Sequence, residues 1–265
     1  MSHEDGAAAA LADAAAVGVQ ADLAQVAAQH VYYGHQSIGR NILDGVRVLG
    51  SATGSPPVKV IASRQLGDAQ APALVEFTIG ENGDPDSKTR DFAAVLATSR
   101  STVPGTALFE YCFLDVTPAT DIDRMFAAHR EAVRAMKVRH PELTFVHVTV
   151  PLTVDEPAPR RFVKGILGKP TSRDANRKRN EFNALLRREY TGEPIFDLAR
   201  VESTQPSGSH TFFVDGVDTV YTLVPEFTAD GSHLNAAGRR AAAIELLSVL
   251  SRATSVPSRS HLAAR

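Results

Sequence analysis

Apolar and polar positions alternate along this chain in two periods, one helical and one of strand type, that follow each other in turn. Residues 21–29 have helical spacing, and "HVYYG" after them reads as a strand. Ile38, Ile42, Val46 and Leu49 then form one stripe of a helix over Ile38–Leu49. "VKVIAS" and "ALVEFTIG" are β-rich, and a helix from Ser87 to Ala97 carries Phe92, Val95 and Leu96. "TALFEYCFLDV" is the next strand. In "DIDRMFAAHREAVRAMKVRH", Ile122, Met125, Phe126, His129, Val133 and Met136 fall at helical spacing until Pro141 stops the run. "LTFVHVTVPL" is almost continuously apolar, the pattern of a strand covered on both faces. Asn176–Tyr190 reads as a helix, "PIFDLARV" as a strand and Ala236–Leu250 as a last amphipathic helix.

Strands alternating with helices imply parallel pairing through right-handed crossovers, hence a three-layer α/β/α sandwich around a central parallel sheet. One domain is expected over 30–252, preceded by an Ala-rich helical segment (1–29) and followed by a flexible tail (253–265) without period. Sites in such sheets lie beyond the carboxyl ends of the strands, so Ser37, Gly83, Asp115 and Thr153, each following a strand, can meet on one rim. Two segments break the alternation. "HTFFVDGVDTVYTLV" holds Asp215-Gly216 between β-rich runs, a hairpin signal that fits either a wall beside the site or a plain edge hairpin. Residues 160–179 are strongly basic, which reads as solvated surface or as a contact for an anionic substrate or polymer.

Composition narrows the function. The 265 residues are 43% hydrophobic, enough for a sizeable core, and 28 basic against 30 acidic side chains give no nucleic-acid signature. No apolar run approaches the roughly 18 residues of a membrane span. The opening "MSHEDGAAAALADAAAVGV" begins acidic and is broken by Asp13, so no export signal is expected in the chain as given; the default expectation is cytoplasmic, or exported if the N-terminus has been trimmed. Cys112, the only cysteine, lies in an apolar run and reads as a small buried hydrophobe. His129 and His140 lack carboxylates at metal-ligand spacing, no His-x-x-x-His occurs, and neither a P-loop nor a Gly-x-Gly-x-x-Gly follows a strand. No metal and no cofactor are therefore expected.

The chemistry concentrates at two ends of the chain. In "GHQSIGRNILDGV" Ser37 stands between strand and helix, where it either caps the helix or acts as a nucleophile. A serine hydroxyl needs a base within hydrogen-bond reach and a third group to orient that base. "TADGSHLNAAG" supplies both: Asp230 and His233 are three apart in a turn entering the last helix. Asp197 and His147 are weaker candidates, since the first lacks a coupled histidine and the second lies inside a strand.

Together with the α/β alternation, these blocks resemble the SGNH (GDSL-type) hydrolase superfamily, from about Val31 to Leu250. The resemblance implies that Asp230 and His233 are the orienting acid and general base, with Ser37 as the nucleophile. The usual Gly-Asp-Ser is here "GHQS", which puts Gln36 and His35 beside the substrate, with a structural histidine bonded to a loop carbonyl as the equal alternative for His35. "TIGENGDPDSKTRDF" resembles the second block, so the Gly83 amide would join the Ser37 amide in the oxyanion hole. The third block normally ends in an asparagine, and "EYCFLDVTP" puts Asp115 near that place. An ionised carboxylate only accepts hydrogen bonds, so three arrangements remain open: Asn82 supplies the missing amide, two backbone donors suffice, or Asp115 orients another group such as His35. The implied activity is serine-dependent hydrolysis of a carboxylic ester, a carbohydrate O-acetyl or short-chain acyl ester. An O-acyltransferase using the same residues and a non-catalytic carbohydrate-binding protein are the alternatives.

Overall fold

The computed structural model describes residues 16–53, 58–66, 71–99 and 102–253. Helix α1 (16–27) leads into β1 (His30–His35), all six residues of which are buried. There follow α2 (Ser37–Thr53), β2 (Val60–Ala62), β3 (Ala73–Thr78), α3 (Pro85–Leu96), β4 (Gly105–Phe109) and α4 (Ile122–Arg139). The second half contains β5 (Leu143–Val148), α5 (Ala158–Ile166), α6 (Ser172–Glu189), β6 (Ile195–Phe196), α7 (Leu198–Ser203), the strands β7 (Phe212–Asp215) and β8 (Asp218–Tyr221), and α8 (Ala236–Ala253). β1 to β6 form one parallel sheet in the order β2-β3-β1-β4-β5-β6, and β7 pairs with β8 as a separate antiparallel hairpin.

The sheet divides the core in two. On one face Leu23 of α1, the Ile38, Ile42 and Val46 stripe of α2 and Leu246 of α8 pack together. On the other, Phe92 of α3, Phe126 of α4 and Phe182 of α6 do the same. This is the three-layer arrangement the alternation predicts. α2 and α8 approach so closely that a Cβ on Gly45 would lie 2.4 Å from the carbonyl oxygen of Arg239. Connections from β1 run first to one side of the sheet and then to the other, which opens a crevice at the carboxyl end of β1.

Three segments depart from the expected pattern. The strand expected through "TALFEYCFLDV" ends at Phe109, because Asp115 folds back to accept the Cys112 N–H at 2.7 Å and closes a 3-10 turn over Phe113–Asp115. In "PIFDLARV" only Ile195 and Phe196 pair; Asp197 accepts from the Arg200 N–H and starts α7. α5 is not legible as a helix, since Arg161 and Lys164 turn toward the protein while Phe162, Val163 and Ile166 face out. The hairpin expected at Asp215-Gly216 forms, with Asp215 paired to Asp218 and Gly216 and Val217 as the two turn residues. The tail expected over 253–265 lies outside the described residues from 254 onward, as do residues 1–15 of the Ala-rich segment.

Candidate active site

Ser37 is the first residue of α2 and does not cap it. The Arg40 N–H donates to the Gln36 carbonyl at 3.2 Å, so the helix is entered one residue earlier. The Ser37 hydroxyl instead lies 3.0 Å from His233 Nε2. His233 Nδ1 lies 2.7 Å from Asp230 Oδ2, which fixes the tautomer with its proton on Nδ1 and leaves Nε2 to accept from Ser37. The other Asp230 oxygen accepts the backbone N–H groups of His233 (2.8 Å) and Ser232 (2.9 Å). These bonds, the His233 amide foremost, hold the Asp230 carboxyl well below the usual carboxylate range. The Phe113 ring meets the imidazole in a T-shaped contact, with centroids 5.7 Å apart. Three residues separated by up to 196 positions are thus in one hydrogen-bonded line.

Because Asp230 holds the ring in that tautomer, Asp230→Asn is expected to leave the fold intact and lower kcat by about 10³- to 10⁴-fold. Steady-state kinetics beside a circular-dichroism melt would check this.

The turn carrying Ser37 is held from below by a residue that the pattern reading missed. Glu110, directly after β4, is fully buried. It accepts from the Gly39 N–H at 2.8 Å, the Gln36 N–H at 3.1 Å and the Tyr33 hydroxyl at 2.8 Å. Helix α2 begins with amides that have no intrahelical acceptor. Glu110 takes Gly39's. The available signal was a lone carboxylate at the end of an otherwise apolar strand run, "TALFE".

His35, expected beside the substrate, is instead fully buried beneath the turn with Nε2 2.8 Å from Glu76 Oε2. Its Nδ1 lies 2.7 Å from the Gln36 carbonyl oxygen, so it takes the structural alternative and supports the turn. Gln36 is half-buried and donates from Nε2 to the carbonyl oxygens of Ile79 and, at 2.9 Å, Gly80. Its carboxamide therefore ties the Ser37 turn to the loop after β3.

That loop carries Asn82 and Gly83, and its geometry departs from the expected oxyanion hole. The Gly83 N–H donates to Asp115 Oδ1 at 2.8 Å. Gly83 has φ near +92°, a conformation that L side chains rarely adopt. Lys88 of α3, fully buried, lies 2.6 Å from Asp115 Oδ2 and donates to Asn82 Oδ1 at 2.9 Å. An ammonium only donates, so this contact fixes Asn82 with its oxygen toward Lys88 and its two amide hydrogens elsewhere. Asp115 is buried and accepts from a backbone amide on each oxygen, which makes it a loop anchor rather than a substrate contact.

A second buried polar group braces the other side. Arg179 of α6 donates to the Phe113 carbonyl at 2.9 Å through Nη2 and to Thr153 Oγ1 at 2.9 Å through Nη1. Burial lowers its pKa to about 10. The Val154 N–H in turn donates to the Gly231 carbonyl at 3.0 Å. Thr153, Phe113 and the Asp230–His233 turn are therefore neighbours on the rim.

Other titratable residues are engaged elsewhere. Asp197 receives a two-point contact from Arg187 at 2.7 and 2.8 Å. His147 stacks on Tyr190 and meets Glu193 at 2.9 Å. Cys112 is buried, and desolvation pushes its thiol up. Among the described residues no group of three or more His, Cys, Asp or Glu is placed to hold a metal ion.

Glu202 of α7 is fully buried, accepts from the Leu152 N–H at 2.6 Å and has no partner for its second oxygen. Desolvation raises its pKa from the ordinary 4.5 to about 8. Between those values the folded chain holds a proton that the unfolded chain has released, so stability is fullest below 4.5 and falls as pH rises toward 8. Glu202→Gln is expected to remove this loss: thermal melts of the two proteins should nearly coincide at low pH and separate in the variant's favour above 8.

No family model matches the chain, and no curated relative does. Among solved structures, a GDSL-like lipase from Bacteroides thetaiotaomicron VPI-5482 is similar with a TM-score of 0.51 at 14% identity, over 87% of this chain and 90% of that one. A lipase/acylhydrolase from Enterococcus faecalis aligns at a TM-score of 0.46 and 14% identity, over 87% and 98% of the two chains. An acetyl xylan esterase aligns at 0.46 and 16%, over 83% and 99%. By its sheet and layers this is an α/β/α sandwich protein. More narrowly, it has the fold of the GDSL-like, or SGNH, hydrolases.

Proposed function

We propose that this protein is a serine esterase that cleaves a carboxylic ester through an acyl-enzyme. The observation that carries the reading is the hydrogen-bonded line from Ser37 Oγ through His233 to Asp230. As Ser37 Oγ bonds to the ester carbonyl carbon, its proton passes to His233 Nε2, and Asp230 stabilises the imidazolium. The carbonyl oxygen becomes an oxyanion facing the Ser37 N–H and the Asn82 carboxamide. Collapse of the tetrahedral intermediate breaks the ester C–O bond, and His233 returns the proton to the departing alkoxide. Water, deprotonated by the same imidazole, then adds to the acyl-enzyme and releases the acid with Ser37 restored.

In this reading Gly83 contributes through its position, because its N–H is held by Asp115. Asn82 takes the part of the asparagine missing from the third block. Carbohydrate O-acetyl and short-chain acyl esters are the substrates to which the resemblance extends.

The test is intact-mass analysis after treatment with a fluorophosphonate, which bonds phosphorus to an activated serine oxygen and expels fluoride. One adduct on the native chain, absent from Ser37→Ala and His233→Ala, is expected. A native chain that takes up none would overturn the mechanism.

A further inference from the structure

α5 is inside out. Arg161 and Lys164 turn toward the protein, where Arg161 meets Asp155 at 3.1 Å and Lys164 pairs with Glu156. Phe162, Val163, Ile166 and the adjoining Leu167 fall one turn apart on the outer side, with Phe162 and Ile166 70% and 71% exposed. The hairpin repeats the theme: Phe212 and Val214 project from one side of β7, and Val217 at its tip is 98% exposed. These two segments hold seven of the twelve exposed large apolar side chains among the described residues, so the apolar surface is concentrated rather than scattered.

Arg173 joins the two segments. It binds Asp155 at 2.7 Å and lies over the Phe213 ring at 4.5 Å, while Arg177 reaches Asp215 at 2.5 Å. α5 also begins a few residues after Thr153 and Val154, which belong to the rim of the Ser37 site.

Charge selects the partner. Between positions 155 and 178 seven basic side chains stand against three acidic ones, and with Asp215 and Asp218 of the hairpin the basic groups still outnumber the acidic, in a chain whose formal charge is −2. Arg160 is exposed, with Glu156 Oε1 3.7 Å from its Nε, and no carboxylate pairs with Lys169 among the described residues. Apolar side chains flanked by such cations fit an interface where hydrocarbon lies beneath anionic headgroups. We infer that the outer face of α5, with the β7–β8 hairpin beside it, docks on the surface of an anionic lipid layer. Among the described residues no helix is long and apolar enough to cross a membrane, so this is attachment in the interface plane. On the acyl-transfer reading, an ester carried in that layer would be delivered to the Ser37 rim; the docking itself does not depend on that reading.

The chain contains no tryptophan, so Ile166→Trp provides a single fluorescent probe at the contact. Its emission is expected to shift to the blue with phosphatidylglycerol-containing phosphatidylcholine vesicles and much less with phosphatidylcholine alone. In co-sedimentation, Phe162→Ser with Ile166→Ser should lose at least about tenfold in partition. Lys169→Gln should lose about fivefold, with added salt weakening the native chain. Fluorophosphonate labelling in vesicle-free buffer should be the same in all three, which separates lost docking from lost folding and from failure of the esterase reading. Unshifted emission with equal sedimentation of native and variant chains would overturn the inference. So would a dimer mass by light scattering that the Phe162→Ser, Ile166→Ser pair returns to monomer without any vesicle binding.

Discussion

His233→Ala is expected to lower kcat/KM for an activated ester such as p-nitrophenyl acetate by about 10⁴- to 10⁶-fold while leaving the thermal midpoint nearly unchanged. The His233 side chain is 42% exposed and belongs to neither core cluster, so its loss opens no core cavity. On the proposed mechanism its chemical loss is large, because Ser37 Oγ loses the imidazole nitrogen that lies 3.0 Å from it, and a neutral hydroxyl attacks an ester poorly without a base. The Ser37→Ala, His233→Ala double variant should be no slower than the worse single one, since the two act in the same step. Independent multiplication of the two defects, measured by initial rates, would show that they do not work as a unit.

Lys88→Met is expected to have the largest effect on stability. It leaves Asp115 buried without its cation, and breaking a buried pair in this way costs about 3–5 kcal/mol. For a chain of this size that corresponds to a fall in Tm on the order of 10 °C. Adding Asp115→Leu removes the unpaired carboxylate and should recover part of the stability. Activity should not return with it. The double variant has lost the acceptor for the Gly83 N–H and the donor to Asn82 Oδ1, so the loop beside Ser37 no longer has its anchors. Thermal melts and kcat measured on both variants separate the two roles: recovery of kcat in step with Tm would mean that the pair serves the fold alone.

Period and turn chemistry carried most of the fold. The Ile38, Ile42, Val46 stripe, Pro141 after α4 and Asp215-Gly216 in the hairpin each mark an element on local grounds. Where local preference met a distant partner, legibility failed. "CFLDV" has strand composition, yet Asp115 bends it into a turn by binding backbone amides. α5 escapes pattern reading because amphipathic logic assigns its apolar side to a core it does not face. Within the site, Asp230 and His233 could be paired from their spacing, whereas Glu110 and Lys88 could not. A buried carboxylate or ammonium is meaningful only by what folding brings to it, and their partners lie up to 77 residues away. His35 shows the converse: adjacency to Ser37 suggested contact with substrate, but strand alternation turns it inward to Glu76.

The close seat of α8 on α2 has a kinetic consequence. Ser37 heads α2, while His233 lies just before α8, and the Leu234 N–H donates to Asn41 Oδ1 of α2 at 3.1 Å. The hydrogen bond between Ser37 Oγ and His233 Nε2 therefore forms only once α8 has docked against α2. Parallel strands joined by long crossovers order slowly, so helix content should return in refolding before labelling by a fluorophosphonate does. On the proposed mechanism, a chain emerging from the ribosome would stay chemically silent until α8 had left it, with Ser37 made long before His233.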